Sequence, residues 1–336
     1  MISPLQHLVL LLALWVPCQF FAPRHSVHVL AVGGLIAATF YAPIAALVIA
    51  ATILEAVLLV IILGRLPRQS GLRQFGAYVL LLNLLFVDVH DLVLNINVAT
   101  LGISFSTIRI FMTAKNILSS REALPMRDMY WIFVSGFYLP ALIIGPIFSG
   151  LDLKKQHDAA APVAVNLRDG RMVLQGLVLS VLVATACAII GQAIAPFLFL
   201  SLFAAFWGQS LIAEHSSRFF GYRLPVNFDH PWKAKTPQDF WARWHKSMAQ
   251  FVLQYIFLPL NLRGLSPQMA TITAFVFMGL WHNLSLGYFV WGLCHGVMLA
   301  FGPKELAEGI RGLLMQVGLW VAVIGLSLFA NYGAYS

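Results

Sequence analysis

An all-α polytopic membrane protein is the fold class this sequence predicts, and three observations lead to it. The 336 residues are 60% hydrophobic and 10% charged, against about 45–50% and about 25% in soluble globular domains. The apolar residues come in unbroken runs, not in the period-two alternation of a membrane β-barrel. The basic residues, 21 Lys and Arg against 13 Asp and Glu, stand in short loops between those runs, where charges fix membrane topology. This composition excludes a nucleic-acid-binding domain, a disulfide scaffold and a disordered chain. Cys18, Cys187 and Cys294 all lie in apolar context and read as small buried side chains, so neither a metal site nor a disulfide is expected.

A spanning helix needs about 20 apolar residues. Residues 8–23 are a short candidate. Its uncharged start, with Trp15, Pro17 and Gln19, argues against a cleaved leader and for a retained helix or re-entrant segment. Val29 to Leu54 is uncharged and runs on to Leu63, predicting one long or two short spans with a break near Gly33–Gly34 or Pro43. Arg65, Arg68 and Arg73 follow as a basic loop. Apolar stretches cover 76–87 and, with polar interruptions, 92–118. Met129–Leu151 reads as a span ending at Gly145-Pro146, and 152–171 as a charged loop. Met172–Ala213 carries no charge and predicts two spans broken near Gly191–Pro196. Residues 214–246 are polar and basic. Leu265–Pro303 predicts two more spans, with a turn near Asn283–Gly287, and Leu313–Ala330 the last. The total is about nine to eleven spans or half-spans, in a single transmembrane domain over 1–336.

Ionisable residues inside apolar segments are costly and tend to be functional. His282, in an uncharged run, needs a hydrogen-bond partner or a water-lined cavity. His295 lies between Gly292 and Gly296 and equally suits close helix packing. Residues 236–251 read as one interfacial helix. Thr236 is its N-cap, Pro237 its first residue, Asp239 and Arg243 form an i,i+4 pair, and Trp241, Trp244, His245, Met248 and Phe251 share a face. Asp88-Val89-His90-Asp91 matches no ligand set on a helix face, and Glu214-His215 lacks the second histidine of a zinc helix. Both read as polar loop or helix-end residues. No G-x-S-x-G, Walker A or G-x-G-x-x-G segment occurs.

GYRLPVNFDHPWKAKTPQDFWARWHKS (221–247), then QYIFLPL (254–260) and GLWHN…FVWGLCHG (279–296), resemble the motifs of the membrane-bound O-acyltransferase (MBOAT) family. Upstream, LGISFSTIR (101–109) and Gly145-Pro146-Ile147 are similar to two further family segments. The order and spacing agree from about residue 100 to 300, which makes 1–100 the weaker match, 101–300 the family core and 301–336 a C-terminal helix. Within the family the chain looks closest to the bacterial branch, which transfers D-alanyl groups to teichoic acid or O-acetylates exported glycans. The sequence departs from the family at Asn283, where a glycine is usual, and at Ala205, where an acidic residue is usual.

The resemblance implies an MBOAT-like helical bundle with interfacial helices and a central tunnel. It implies an O-acyltransferase that moves an acetyl or D-alanyl group from a cytoplasmic thioester (acetyl-CoA or the phosphopantetheine of an acyl carrier) to a hydroxyl. His282 and His245 are then the expected catalytic residues. Arg243, Lys246, Asn227, Trp281, Trp291 and His295 are the expected donor- and substrate-binding residues. The implied setting is the inner membrane, in contact with lipid. The implied partners are an extracytoplasmic protein of the SGNH-hydrolase type and a cytoplasmic acyl carrier protein, with no nucleic acid. Two rivals follow from the residues themselves. A transporter with a histidine proton relay would show internal repeats, and none is seen. An inactive scaffold is compatible with Asn283 and Ala205.

Overall fold

The computed structural model describes residues 3–18, 23–84, 102–120, 126–159, 165–194, 196–305 and 309–334. Asp88–Asp91 lies outside them. The regular structure of the described residues is helical throughout, with no strand. Among the described residues, three helices are long and apolar enough to cross a membrane: α3 (Pro43–Gly64), α7 (Leu167–Gly191) and α8 (Pro196–Phe219). The break expected near Gly191–Pro196 thus separates α7 from α8. Four shorter apolar helices, Pro4–Val16, His25–Tyr41, Leu286–Phe301 and Val317–Ala330, accompany them.

The chain falls into two compact units, the first made of Met1–Val178 with Gly208–Pro225 and the second of Leu179–Trp207 with Val226–Ser336. In the first unit, α1 (Pro4–Cys18) is followed by α2 (Pro23–Tyr41) and α3. The long apolar run beyond Val29 is therefore two helices. The break is at Ala42, which leaves helical geometry before Pro43 because the proline ring crowds an αR predecessor. Residues 76–82 form a 3-10 turn, not a span. α4 (Ile103–Ser119) carries the ISFSTIR segment, and α5 (Met126–Phe137) packs beside it.

The span expected over Met129–Leu151 does not form. α5 stops at Phe137, and from Tyr138 to Ser149 the chain is buried without regular structure apart from one 3-10 turn. Pro140 and Pro146 have no N–H to continue a helix. Buried irregular backbone is tolerated in an apolar body only where other groups satisfy it, and here side chains do so. His7 Nε2 lies 2.8 Å from the Leu139 carbonyl oxygen. Arg109 Nη1 donates to the Ala141 carbonyl at 2.6 Å and Nη2 to Ser106 Oγ at 2.9 Å, with the guanidinium 5.3 Å from the Phe148 ring centre. Gly150 N–H donates to Thr113 Oγ1 at 2.7 Å. Arg109 is fully buried, so it acts as an internal clamp joining α4 to this segment.

The charged stretch after it is a helix where the sequence predicted a loop. α6 (Gly150–Ala159) is fixed by Lys154, whose Nζ lies 2.7 Å from Asp158 and 3.7 Å from Asp128. Glu214-His215 takes the helix-end place that the sequence allows, inside the last turns of α8. His215 Nδ1 lies 2.8 Å from Asp169, and Arg218 Nη1 lies 3.3 Å from the same carboxylate oxygen. Asp169 in turn closes a capping box with Asn166 at the start of α7.

In the second unit, residues 236–251 are two short helices and not one. α9 (Pro237–Arg243) ends at Trp244, and α10 (Lys246–Val252) begins after His245. α10 runs on through a wider turn, Leu253–Phe257, into Leu258–Leu262. The two helices predicted within Leu265–Pro303 are α11 (Pro267–His282) and α12 (Leu286–Phe301), capped by Ser266 and Ser285. At 16 residues each they are about 24 Å long, short of the roughly 30 Å hydrocarbon layer. The last helix, α13 (Gly309–Ala334), packs on α12, with the Trp291 indole N–H donating to Ser327 Oγ.

We expect Arg109→Leu to lower stability by roughly 2–4 kcal/mol, because it leaves the Ala141 carbonyl and Ser106 without their donor. Melting of the detergent-purified variant checks this; an unchanged transition would show the clamp to be dispensable.

Candidate active site

The site is built where α9 meets α10. Thr236 caps α9 by accepting from Asp239 N–H at 3.1 Å, and Pro237 occupies the first turn. Asp239 receives Arg243 Nε at 2.6 Å. The helix then breaks. Trp244 is extended, and His245 takes a left-handed conformation with φ 43°, which costs a non-glycine residue of order 1–2 kcal/mol. The surroundings hold that conformation. Lys246 N–H donates to the Asn227 carbonyl at 2.9 Å, Asp229 N–H donates to the Arg243 carbonyl at 3.0 Å, and Ser247 Oγ donates to Asn227 Oδ1 at 2.6 Å. Asn227 is fully buried. It therefore braces the break from beneath.

The break aims His245 into an aromatic shell. Its ring is 4.6 Å from Phe206 and 6.3 Å from Trp281, centre to centre. The single shared face expected for Trp241, Trp244 and His245 is lost, because the αL residue turns Trp244 away to stack on Phe199 and Phe240. His245 and Trp241 border a cavity of about 380 Å³. Its lining runs from Gln238 through Met248 to Phe257 on one side, and through Thr271, Phe275 and Met278 of α11 on the other. Burial pulls the His245 imidazole, which lies outside the spans, well below the usual histidine value, to about 3, with the nearby His282 adding to the effect. His245 is therefore a neutral ring near pH 7 and a weak base, suited to hydrogen bonding.

His282 ends α11 and is exposed, although rings crowd it on three sides. Trp281 is at 4.6 Å, Trp291 at 5.5 Å and Tyr288, stacked, at 5.6 Å. Trp281 stands between the two histidines, 6.3 Å from His245 and 4.6 Å from His282. The α11–α12 hairpin that holds His282 and Trp291 closes on glycines. A Cβ at Gly292 would strike the Phe275 carbonyl oxygen, and one at Gly279 the Tyr288 carbonyl oxygen. Close approach of this kind needs residues without a side chain. Asn283, in the departed glycine position, is extended and hydrogen-bonds its N–H to the Gly279 carbonyl at 3.3 Å.

The remaining expected residues divide. Trp281 and Trp291 join the cluster. His295 is 1% exposed, lies 4.6 Å from Trp291 and 5.4 Å from Trp241, and has no hydrogen-bond partner at either ring nitrogen among the described residues. Arg243 and Lys246 already face acids, Arg243 at Asp239 and Lys246 Nζ 3.9 Å from Asp229. Gln238, on the cavity wall, was missed in the sequence; its position one turn before Trp241 was the available signal.

Residues 177–303, which hold both histidines and the cavity, match the model of the membrane-bound O-acyltransferase family. This stretch is similar to that family over somewhat more than a third of the chain. Among curated relatives, it is 35% identical over 102 residues to a peptidoglycan O-acetyltransferase of Helicobacter pylori, covering 30% of this chain and 19% of that one. It is 31% identical over 117 residues to a teichoic acid D-alanyltransferase of Streptococcus thermophilus, covering 32% and 28%. It is 28% identical over 212 residues to a probable alginate O-acetylase of Pseudomonas aeruginosa, covering 56% and 41%. The chain thus spans well under half the length of these relatives. With three helices long and apolar enough to cross a membrane among the described residues, and this family match, it is an integral membrane protein.

We expect Asn227→Ala to destabilise the protein by about 1–2 kcal/mol, the worth of a lost buried acceptor. Equal melting of the wild type and the alanine variant would remove Asn227 as the brace.

Proposed function

We propose that this protein is an O-acyltransferase subunit of a multi-pass inner-membrane assembly that modifies a cell-envelope polymer. The observation that carries the reading is the His245–Trp281–His282 arrangement, with one imidazole on the wall of a half-open cavity and the other accessible. A thioester donor, acetyl-CoA or an acyl carrier phosphopantetheine, places its acyl group at the cavity side. A hydroxyl oxygen attacks the thioester carbonyl carbon, the carbon–sulfur bond breaks, and the thiol leaves. His282 takes the hydroxyl proton and returns one to the sulfur. His245 orients the thioester, and Trp281 and Trp291 keep water from it. His295 and Trp241 supply polar atoms beside the cavity.

The acetyl and D-alanyl groups in the relatives' names are the starting candidates for the acyl group. The acceptor is either the polymer hydroxyl itself or an extracytoplasmic partner of the SGNH-hydrolase type that passes the group on. A cytoplasmic acyl carrier protein is the alternative to coenzyme A as donor.

His282→Ala and His245→Ala should each lower acyl incorporation into the exported polymer by about 10²-fold or more, in cells that express each variant at wild-type level. Normal acylation by His282→Ala, with loss on deleting the whole chain, would overturn the reading and leave an inert scaffold.

A further inference from the structure

The cavity beside His245 is larger and less polar than the acyl groups of the relatives require. Its volume is about 380 Å³. An apolar cavity of about 150 Å³ takes benzene, so on that scale this one holds a chain of roughly eight to fourteen carbons. A two-carbon acetyl group by itself would contact only a small part of its wall.

The lining is ordered along the chain. Gln238, Trp241, His245 and Thr271 supply the polar atoms, and Met248, Ala249, Val252, Leu253, Phe257, Ala274, Phe275 and Met278 continue as an apolar wall. Among the described residues, Trp241 Nε1 and Gln238 Oε1 are buried with no hydrogen-bond partner. Such groups need a partner that a ligand's polar head can supply. No Asp, Glu, Lys or Arg lines the cavity. The ammonium of a D-alanyl group would be desolvated there with no carboxylate to meet it.

We infer that the acyl group is uncharged and carries an alkyl chain of roughly eight carbons or more, with its carbonyl end at Trp241 and His245 and its tail along Val252, Phe257 and Met278. This inference rests on the acyltransferase reading and narrows its substrate. Ala249 and Met278 then set the chain length, because one fills out from α10 and the other closes the cavity from α11.

The test uses the full chain in nanodiscs and non-hydrolysable acyl thioethers of coenzyme A with two to sixteen carbons, plus a D-alanyl thioether. Affinity should rise about fourfold per methylene, the worth of burying each one, and level off at roughly eight to fourteen carbons. The D-alanyl thioether should bind no better than the acetyl one. Ala249→Phe should bring the plateau to shorter chains, and Met278→Ala should move it to longer ones, so the pair remains decisive if one variant fails to fold. Affinity independent of chain length, or a plateau that neither variant moves, would overturn the inference. So would labelling of the Met248–Phe257 stretch by a photoactivatable phospholipid that the octanoyl thioether does not displace, which would assign the cavity to a bilayer lipid. If no thioether binds selectively while His282→Ala still abolishes polymer acylation, the chain-length inference alone fails. If chain length matters but His282→Ala acylates normally, the acyltransferase reading fails.

Discussion

One residue held in a costly backbone conformation organises the second unit. His245 at φ 43° ends one short helix and starts the next, and that bend decides which side chains reach the cavity. A continuous helix over 236–251 would keep Trp244 in line with Trp241; the bend sends it outward against Phe199 and Phe240 and turns the imidazole inward. Strain of this kind persists only where the surroundings over-determine it. Asn227, Ser247, Asp229 and Arg243 do so through both backbone and side-chain bonds. Arg243 and Lys246, which would otherwise read as an anion site, belong to the same support: each faces a carboxylate on the segment around the bend.

The second histidine is positioned by different means. His282 owes its place to backbone contact between α11 and α12 at Gly279 and Gly292, and the aromatic rings around it fill the mouth of that contact. The two histidines therefore depend on separate local structures that meet at Trp281. The family match covers both structures within residues 177–303, whereas the relatives extend well beyond what this chain aligns with.

Much of this was legible in the sequence, and the exceptions have common causes. Helix class, the breaks at Pro43 and before Pro196, the Thr236 cap and the α11–α12 hairpin follow from hydropathy, proline and capping chemistry, which act locally. The bend at His245 was not legible, since Trp244-His245-Lys246 has no glycine, proline or asparagine to announce it; tertiary bonds impose it. The buried irregular stretch 138–149 was misread as a span because hydropathy measures burial, and burial there comes from protein rather than lipid. α6 was misread as a loop because ion pairs replace an apolar face. His295 was legible as a polar residue among small ones, but its lack of hydrogen-bond partners appears only once the rings of Trp241 and Trp291 are placed around it.

The contact between His7 and Leu139 bears on how the chain is made. Its two ends are 132 residues apart. At about 5–20 residues per second, α1 waits on the order of ten seconds after synthesis before the carbonyl that satisfies its histidine exists. That contact can close only once the middle of the chain has been made.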